Sequence, residues 1–455
     1  MNFSEIKNIH FIGVGGIGVS ALARLMMELG KSVSGSDLSN SIITDQLKDI
    51  GVNVIIGPHK DSNIQINTQL VVYTNAIVKT NPELKKAQKI KAILMSYPEL
   101  LARLMETHLS IIVSGTHGKS TTTAMLAKIF IEAGLDPSVV VGTNVNDFNG
   151  NARLGLGRHF IAEGDEFHEA FLNYNPISLI LNNIESDHLD YYKTEENIIK
   201  AFTKVVKKVP KGGVIVANAE DKNIKKVLKS AKAKVLTFGI NDGDYQVTHI
   251  VRHGELVRFA VKGLERFDLA IRMPGIHNVS NALAAAVLAL SFGIEIDIIK
   301  KALLNFSGIW RRFEIKGKNK GVTIVDDYAH HPTEIRATLK AAKSFFKGKR
   351  IWCVFQPHSG NRTNALFSDF TKSFTDCDQL ILTDIYKVAG REKKDHVDMK
   401  KFVQDIINVK QKKTVIYIKN YKSINTYLRK KIKSGDVVIT MGAGTITEVS
   451  DKLLT

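Results

Sequence analysis

The sequence predicts a protein of three α/β domains. Two glycine-rich loops, at residues 13–18 and 115–120, each follow a short apolar strand and precede a helical pattern. A third stretch of alternating strands and helices begins near residue 313. The length of 455 residues fits about three compact units, because single hydrophobic cores stop growing well below that size. We therefore place the domains at residues 1–106, 107–312 and 313–455.

The composition is that of a globular protein, with 44% apolar and 24% charged residues. The longest apolar stretch, Ala282 to Ile294, is interrupted by Ser291 and Gly293, so it predicts a buried helix and no membrane insertion. The N-terminus carries no recognisable signal segment, and we expect a cytoplasmic protein. The two cysteines, Cys353 and Cys377, form neither a disulfide framework nor a metal-ligand spacing.

The net charge of +18 raises the question of nucleic-acid binding. The lysines are spread in small groups such as Lys207-Lys208, without a basic stripe or an aromatic stacking platform. We therefore predict no nucleic-acid partner and a solvated basic surface that also suits small anionic ligands.

The first domain is predicted to be Rossmann-like. A strand at Ile9–Ile12 leads into Gly13-Val14-Gly15-Gly16-Ile17-Gly18 and a helix through Leu29. A second strand, Ser32–Ser34, runs toward Asp37, which is about where such a unit places an acid that meets a ribose. The complete Gly-x-Gly-x-x-Gly indicates pyrophosphate recognition, which suits NAD as well as a nucleotide sugar. A strand at Leu70–Tyr73 and a helix at Pro82–Lys89 follow.

The second domain is predicted to be a P-loop-type α/β unit with a mostly parallel sheet. The strand Leu109–Val113 ends in the loop Gly115–Ser120, and a helix follows through Ala133. Backbone N–H groups at the helix N-terminus, the charge of Lys119 and the hydroxyl of Ser120 suit a phosphate with Mg²⁺. A glycine turn with a capping serine is the alternative. Further strands are predicted at Phe160–Ala162, Ile177–Leu181 and Val214–Ala217.

The third domain is predicted to be another Rossmann-like α/β unit. Strands are expected at Thr323–Val325, Ile351–Phe355, Leu380–Thr383 and Val437–Thr440. The segment Gly308–Phe313, which precedes them, is predicted to be a hinge between the second and third domains.

The loop at residues 115–120 departs from the common P-loop, which requires glycine at the position of Val113. This shorter Gly-x-x-Gly-Lys-Ser form, followed by Thr121-Thr122-Thr123, resembles the ATP-binding loop of the Mur ligase family. The resemblance covers nearly the whole chain. Its other segments are Gly13–Gly18, Thr74–Ile77, Asn182–Asp190, Gly275–Asn281, Arg311–Phe313, Asp326–Glu334 and Phe355–His358.

The resemblance implies an ATP-dependent ligase that joins L-alanine to the lactyl carboxylate of UDP-N-acetylmuramate through an acyl phosphate. The products would be UDP-N-acetylmuramoyl-L-alanine, ADP and phosphate, made during peptidoglycan synthesis. It also implies Mg²⁺, as two ions, and we expect a monomer or a weak homodimer.

The resemblance also assigns site residues. For ATP they are Gly115, Thr116, His117, Gly118, Lys119, Ser120, Thr121, His277, Asn278, Asn281, Arg312 and either Asp326 or Asp327 at the ribose. For the UDP-sugar they are Gly13, Gly15, Gly16, Ile17, Gly18, Asp37, Thr74, Asn75, Asn151 and Arg153. For the amino acid they are Tyr328, His330, His358 and Arg362. The expected catalytic residues are Lys119, Glu163, His188 and Arg312, and the expected metal ligands are Ser120, Glu163 and His188.

The residue types fit these roles to different degrees. Glu163 ends an apolar strand and could reach a metal at the neighbouring loop, although a solvated glutamate is the alternative. An isolated histidine such as His188 is more often structural. The fixed fork of donors on Arg312 suits a γ-phosphate. Sister ligases carry a carbamylated lysine, but we assign neither Lys200 nor Lys204 to that position.

Some alternatives remain open at this stage. Many family members have an arginine where this chain has Ser359, so the details of amino-acid binding are not fixed. A recycling ligase for a tripeptide, or a ligase that prefers glycine or serine, would share nearly every motif. An NAD-dependent dehydrogenase would leave the second glycine loop unexplained, and a nucleic-acid-stimulated ATPase would require a different surface.

Overall fold

The computed structural model describes residues 5–74, 76–253, 256–358, 360–386, 397–410 and 414–455. Its strands form three sheets with helices packed against them. This confirms the predicted three-domain α/β class with mostly parallel sheets. Within the described ranges, the longest apolar helices fall short of what a bilayer crossing requires.

The first sheet has five parallel strands in the order β3-β2-β1-β4-β5. The strand order reverses at β1, so the loops after β1, β2 and β4 meet at one edge, where ligands of such folds bind. The elements are β1 (Asn8–Ile12), α1 (Ile17–Glu28), β2 (Ser32–Asp37), α2 (Ile42–Asp49), β3 (Asn53–Ile56), β4 (Leu70–Tyr73), α3 (Pro82–Lys89), β5 (Ile93–Ser96) and α4 (Tyr97–Met105).

The second sheet has ten strands, and its centre is parallel. Antiparallel strands extend both edges. Its strands are β6 (Leu109–Ser114), β7 (Ser138–Val145), β8 (Gly150–Arg153), β9 (His159–Gly164), β10 (Ser178–Leu181), β11 (Val214–Asn218), β12 (Lys234–Gly239), β13 (Tyr245–His253), β14 (Leu256–Lys262) and β15 (Phe267–Ile271). Its helices are α5 (Lys119–Glu132), α6 (Leu189–Tyr192), α7 (Glu195–Lys208), α8 (Lys222–Leu228), α9 (Ile276–Ser291) and α10 (Ile296–Leu304).

The buried helix predicted from the alanine-rich stretch is α9, but it begins six residues earlier than Ala282. Gly275 is its N-cap, so His277, Asn278 and Asn281 lie within its first turns and do not precede it. The sequence prediction followed the apolar run, whereas the helix also includes a polar first turn. The side chain of Asn278 donates to the carbonyl of Pro274 at 2.8 Å, which anchors that turn.

The third sheet has six strands in the order β16-β17-β21-β18-β19-β20, and only the edge strand β16 pairs in antiparallel fashion. Its strands are β16 (Glu314–Asn319), β17 (Val322–Asp327), β18 (Ile351–Phe355), β19 (Gln379–Leu382), β20 (Thr414–Tyr417) and β21 (Val437–Met441). Its helices are α11 (Pro332–Phe345), α12 (Gly360–Ala365), α13 (Phe367–Thr371), α14 (Met399–Lys410), α15 (Tyr421–Lys431) and α16 (Thr447–Leu454).

The hydrophobic cores do not divide equally among the three sheets. One core cluster joins residues of the first sheet and its helices, such as Phe11 and Leu22, to Phe171 and Phe202 beside the second sheet. The residues from Phe313 onward form separate clusters. The third sheet therefore meets the rest of the molecule mainly through the polar contacts described below.

Candidate active site

The loop Gly115–Ser120 connects β6 to α5, and its glycines are required by its shape. Gly115 and Gly118 have φ values of +138° and +81°. A Cβ on Gly118 would lie 2.5 Å from Asn281 Oδ1, and one on Gly115 would lie 2.9 Å from the carbonyl of Asn183. The N-cap of α5 is Gly118, so no side chain occupies the helix N-terminus. The backbone N–H groups of Thr116 and His117 are bonded to Asn183, so it is the first turn of α5 that offers N–H groups to an anion.

The side chain of Lys119 contacts its own loop and Glu166. Its ammonium donates to Glu166 at 2.8 Å and to the carbonyls of Gly115 and Thr116 at 2.7 and 3.3 Å. Burial lowers the pKa of Lys119, but the charges of Glu166 and Asp165 outweigh it and raise the pKa above its ordinary value. The lysine is therefore a cation at neutral pH, although it already has three acceptors.

Glu163 and Ser120 lie beside each other, as the metal prediction requires. Glu163 is the penultimate residue of β9, where it pairs in register with Val113 of β6, and its carboxylate accepts from the backbone N–H of Gly142 at 2.7 Å. Burial raises the pKa of Glu163 in spite of hydrogen bonds from Gly142 and Ser120. A half-buried carboxylate next to a hydroxyl offers the oxygen ligands that Mg²⁺ prefers, and a cation would offset the cost of ionising it.

His188 lies next to a second acid, Glu166. Its Nε2 is 3.9 Å from Glu166 Oε1 and also 3.9 Å from Asp187 Oδ2. Glu166 is buried and accepts from Lys119 with its other oxygen, so it lies between two predicted catalytic residues. The sequence analysis missed Glu166. The run Glu163-Gly164-Asp165-Glu166 directly after a buried strand was the available signal.

A cavity of about 360 Å³ opens beside the loop, between the second and third sheets. The predicted ATP-binding residues that line it are His117, Gly118, Ser120, Thr121, His277, Asn278, Asn281, Arg312 and Asp327. Gly115, Thr116 and Lys119 belong to the same loop but do not line the cavity. Burial lowers the pKa of His277 to about 4, so its ring is neutral, which suits contact with a nucleoside.

Sequence reasoning assigned no role to several polar residues at this cavity. Asn183 accepts from the backbone N–H of His117 at 2.8 Å and donates to its carbonyl at 3.1 Å, so it fixes the loop. The others are Asn182, Glu185, Asn218, Glu220, Asp221, Ser280, Thr333, Glu334 and Thr338. Many of them follow β10 or β11, whose carboxyl ends lie at the same edge as that of β6.

The structure separates the two aspartates that were alternatives for the ribose. Asp326 is fully buried and accepts from Arg311 Nε at 2.9 Å and from Thr440 at 2.6 Å. Asp327 lines the cavity and accepts from the backbone N–H groups of Phe313 and Ala329. Burial raises the pKa of Asp327 to about 6. Of the two, Asp327 is therefore the residue placed to meet a ligand.

Arg312 reaches the cavity from the linker, whereas the adjacent Arg311 points into the third domain. Arg311 donates to the carbonyls of Gly444 and Gly442 at 2.8 and 2.5 Å, in addition to its bond with Asp326. Arg312 donates to Glu334 at 3.4 Å and lines the cavity. The arginine predicted at the γ-phosphate is thus held on the cavity side of the linker.

The predicted amino-acid residues lie together at the contact between the second and third domains. The ring of His330 lies 5.3 Å from that of Tyr328 and 5.6 Å from that of His358. Arg362 donates to both carboxylate oxygens of Asp187, at 2.8 and 3.1 Å. Arg362 is therefore paired with an acid of the second domain. Ser359 lies outside the described residues.

The first glycine loop lies apart from this cavity. Gly13 has a φ of +77°, and its missing Cβ would meet Thr74 at 2.6 Å. A Cβ on Gly18 would lie 2.8 Å from the ring of Tyr97. The backbone N–H of Gly15 donates to Asp37 at 2.9 Å, Gly16 is the N-cap of α1, and Ile17 and Gly18 open that helix. These residues, except Tyr97, are the predicted sugar-nucleotide residues, and they meet at one edge of the first sheet.

Three predicted sugar-nucleotide residues differ from this group. Asn151 is buried and donates to the carbonyl of Ile17 at 2.6 Å, so it ties the second domain to α1. Arg153 donates to Asp136 and to the carbonyl of Pro137, both in the second domain, and among the described residues it makes no hydrogen bond to the glycine loop. Asn75 lies outside the described residues.

Comparisons with known proteins were made for the whole chain. Three family models match: "Mur ligase family, catalytic domain" at residues 8–109, "Mur ligase middle domain" at 113–289 and "Mur ligase, glutamate ligase domain" at 311–444. The UDP-N-acetylmuramate--L-alanine ligase of Clostridium novyi is 43% identical and covers 98% of this chain and 97% of its own length. The enzyme of the same name from Acetivibrio thermocellus is 41% identical, with 99% and 96% covered.

Two solved structures have a similar overall fold. The UDP-N-acetylmuramate-alanine ligase of Thermotoga maritima has a TM-score of 0.84 and 29% identity, with 98% of both chains covered. A murein peptide ligase from Psychrobacter arcticus has a TM-score of 0.74 and 26% identity, again with 98% of both chains covered.

Proposed function

We propose that this chain, which belongs to the Mur ligase family, is an ATP-dependent ligase that joins L-alanine to the lactyl carboxylate of UDP-N-acetylmuramate. The reaction yields UDP-N-acetylmuramoyl-L-alanine, ADP and phosphate, and it belongs to peptidoglycan synthesis. The observation that carries the proposal is the likeness of the whole chain, at 41–43% identity, to enzymes of this name. The separate glycine loop and phosphate-loop cavity agree with two nucleotide substrates.

The chemistry requires activation, because an amine does not displace oxygen from a carboxylate. In the proposed reaction, a lactyl carboxylate oxygen attacks the γ-phosphorus of ATP and ADP leaves. The amine of L-alanine then attacks the acyl phosphate, loses a proton and expels phosphate, which leaves an amide. Positioning and charge supply most of the catalysis in phosphoryl transfer.

We assign the following roles to residues of this chain. Lys119, from the phosphate loop, and Arg312, from the linker, would offset the negative charge of the transferred phosphoryl group. Lys119 would exchange one of its present acceptors for a phosphate oxygen. Ser120 and Glu163 would hold one Mg²⁺, and His188 would help to hold a second. When bound, Mg²⁺ supplies positive charge that polarises the phosphoryl oxygens. We assign no general base.

Contacts of the third domain suggest how water is kept from the acyl phosphate. Arg362 pairs with Asp187, and Thr333 donates to Glu185 at 2.9 Å, so both contacts cross from the third to the second domain beside the cavity. We propose that the third domain rotates away from the second about a hinge at residues 308–313, and that this opening admits ATP. Equal domain angles in structures with and without nucleotide would refute that hinge. The domain limits 1–106, 107–312 and 313–455, and a monomer or weak homodimer, remain part of the proposal.

A recycling ligase is the second candidate, because the murein peptide ligase from Psychrobacter arcticus has a similar fold. The deciding experiment incubates the protein with ATP, Mg²⁺ and UDP-N-acetylmuramate. Alanine, glycine, serine or a tripeptide is offered separately, and the product mass is measured. We expect the alanine adduct to form fastest. A protein that makes the tripeptide adduct and no alanine adduct would contradict the proposal.

A further inference from the structure

Glu334 is an acid in the cavity that is proposed to hold a triphosphate. Its side chain is 11% exposed and lines the cavity, although the sequence did not mark it as a site residue. A carboxylate that faces a polyanion is unfavourable unless cations or N–H groups compensate it. The contacts of its two carboxylate oxygens therefore indicate the role of Glu334.

One oxygen of Glu334 is committed to its own helix. Oε2 accepts from the backbone N–H groups of His330 and His331 at 3.1 and 3.3 Å. This closes a capping box at the N-terminus of α11. Because the carboxylate is fixed in this way, its other oxygen is held out toward the second domain and the linker.

The other oxygen reaches two groups outside α11. Oε1 lies 3.3 Å from His117 Nδ1 and 3.4 Å from Arg312 Nη1. His117 belongs to the phosphate loop, and its Nε2 faces Glu185 Oε2 at 3.6 Å. One carboxylate oxygen thus joins the phosphate loop, the linker arginine and the third domain.

We propose that Glu334 is a positioning residue for phosphoryl transfer, which holds Arg312 at the cavity and fastens the phosphate loop to the third domain through His117. Only when the third domain is docked on the second does Oε1 reach His117. Docking of the third domain on the second therefore also aligns Arg312 with the phosphate loop. The inference rests on the proposed ligase function, because it assumes that ATP occupies this cavity.

Electrostatics favour the same arrangement. Burial opposes a charge on His117, but the carboxylates of Glu185 and Glu334 raise the pKa of His117 to about 9. Among the described residues, the ring of His331 also lies against His117, 4.7 Å away, and burial lowers the pKa of His331 to about 4. His117 is therefore a cation between two carboxylates at neutral pH.

The test uses Glu334→Gln, which keeps the size of the side chain and removes its charge. Charge-assisted hydrogen bonds of this kind are worth enough to expect a roughly 10- to 100-fold lower kcat. The KM for UDP-N-acetylmuramate should not change, because that substrate binds the first domain. Glu99→Gln is the matched control, since Glu99 closes the capping box of α4 on an exposed surface. Equal losses in the two variants would overturn the inference.

The pH dependence of nucleotide binding separates positioning from a structural role. In the wild type, affinity for a non-hydrolysable ATP analogue should fall as the pH rises through about 9, where His117 loses its proton. Glu334→Gln should move that fall to lower pH. A profile that keeps its midpoint would refute the role assigned to Glu334.

A second variant keeps the test decisive if Glu334→Gln does not fold. His117→Asn should give the same loss of kcat with an unchanged KM for the sugar nucleotide. When both variants fold, the double variant should lose little more than either single one, and multiplied losses would contradict the inference. A wild-type protein that forms no alanine adduct would refute the proposed function instead, so the two failures are distinguishable.

Discussion

Gly118 offers a direct test of the phosphate loop, by replacement with alanine. Its φ of +81° is a conformation that costs a residue with a Cβ about 1–2 kcal/mol. The added Cβ would also lie 2.5 Å from Asn281 Oδ1 and 3.0 Å from Asn182 Nδ2. Crowding of this kind in a packed site adds about 1–3 kcal/mol. We expect Gly118→Ala to lower the free energy of unfolding by about 2–5 kcal/mol in total.

Gly134→Ala is the matched control, because it follows the other end of the same helix. Gly134 has a φ of +72°, and a Cβ there would meet nothing within 4 Å. It should therefore show the backbone cost alone, about 1–2 kcal/mol. The difference between the two variants in urea unfolding isolates the crowding against Asn281 and Asn182.

The two variants should also differ in catalysis. Displacement of Asn281 would misplace the nucleotide, and a shift of about 1 Å costs on the order of 100-fold in rate. We expect Gly118→Ala to lower kcat/KM for ATP by that order and Gly134→Ala to leave it within twofold. If both variants have wild-type kcat/KM and equal unfolding free energies, the close approach of loop and α9 does not matter to the enzyme.

Three further predictions follow from the same contacts. Lys119→Ala should abolish formation of the alanine adduct while the far-UV circular dichroism spectrum is retained, and full activity would refute its role at the phosphate. Asp326→Asn should lower the free energy of unfolding, measured in urea, by about 3–5 kcal/mol, because it leaves the buried Arg311 without its charged partner. A loss below about 1 kcal/mol would show that the fold does not depend on this ion pair. The pKa of His117 is raised, so its stabilising contribution is complete below its ordinary value of 6.5 and is lost as the pH rises through about 9. The radius of gyration from small-angle scattering should therefore increase between pH 7 and 10, and a constant radius would contradict this.

The amino-acid sequence was enough to predict the fold because the decisive signals are local. A short apolar strand, a glycine loop and a helix appear in order at residues 9–29 and again at 109–133, and the helix at Pro82–Lys89 has the predicted limits. The start of α9 was misplaced because its first turn is polar, and apolar periodicity does not report a polar turn.

The candidate site was only partly visible in the sequence. The phosphate loop and Glu163 could be predicted, since the loop follows β6 and Glu163 lies near the carboxyl end of the neighbouring parallel strand β9. Glu166 and Glu334 could not, because their roles depend on partners at distant positions in the chain. Glu166 meets Lys119 across 47 positions, and Glu334 meets His117 across 217. No spacing rule connects such pairs.

Asp326 and Asp327 illustrate what the sequence determined and what only the tertiary structure decided. The sequence placed both at the end of a strand near a nucleotide site, and it could not choose between them. Successive strand residues point to opposite faces of a sheet, so one turns to Arg311 and the other to the cavity. Local chemistry determined the strands, loops and helices, whereas the packing of three domains decided which polar side chains face one another.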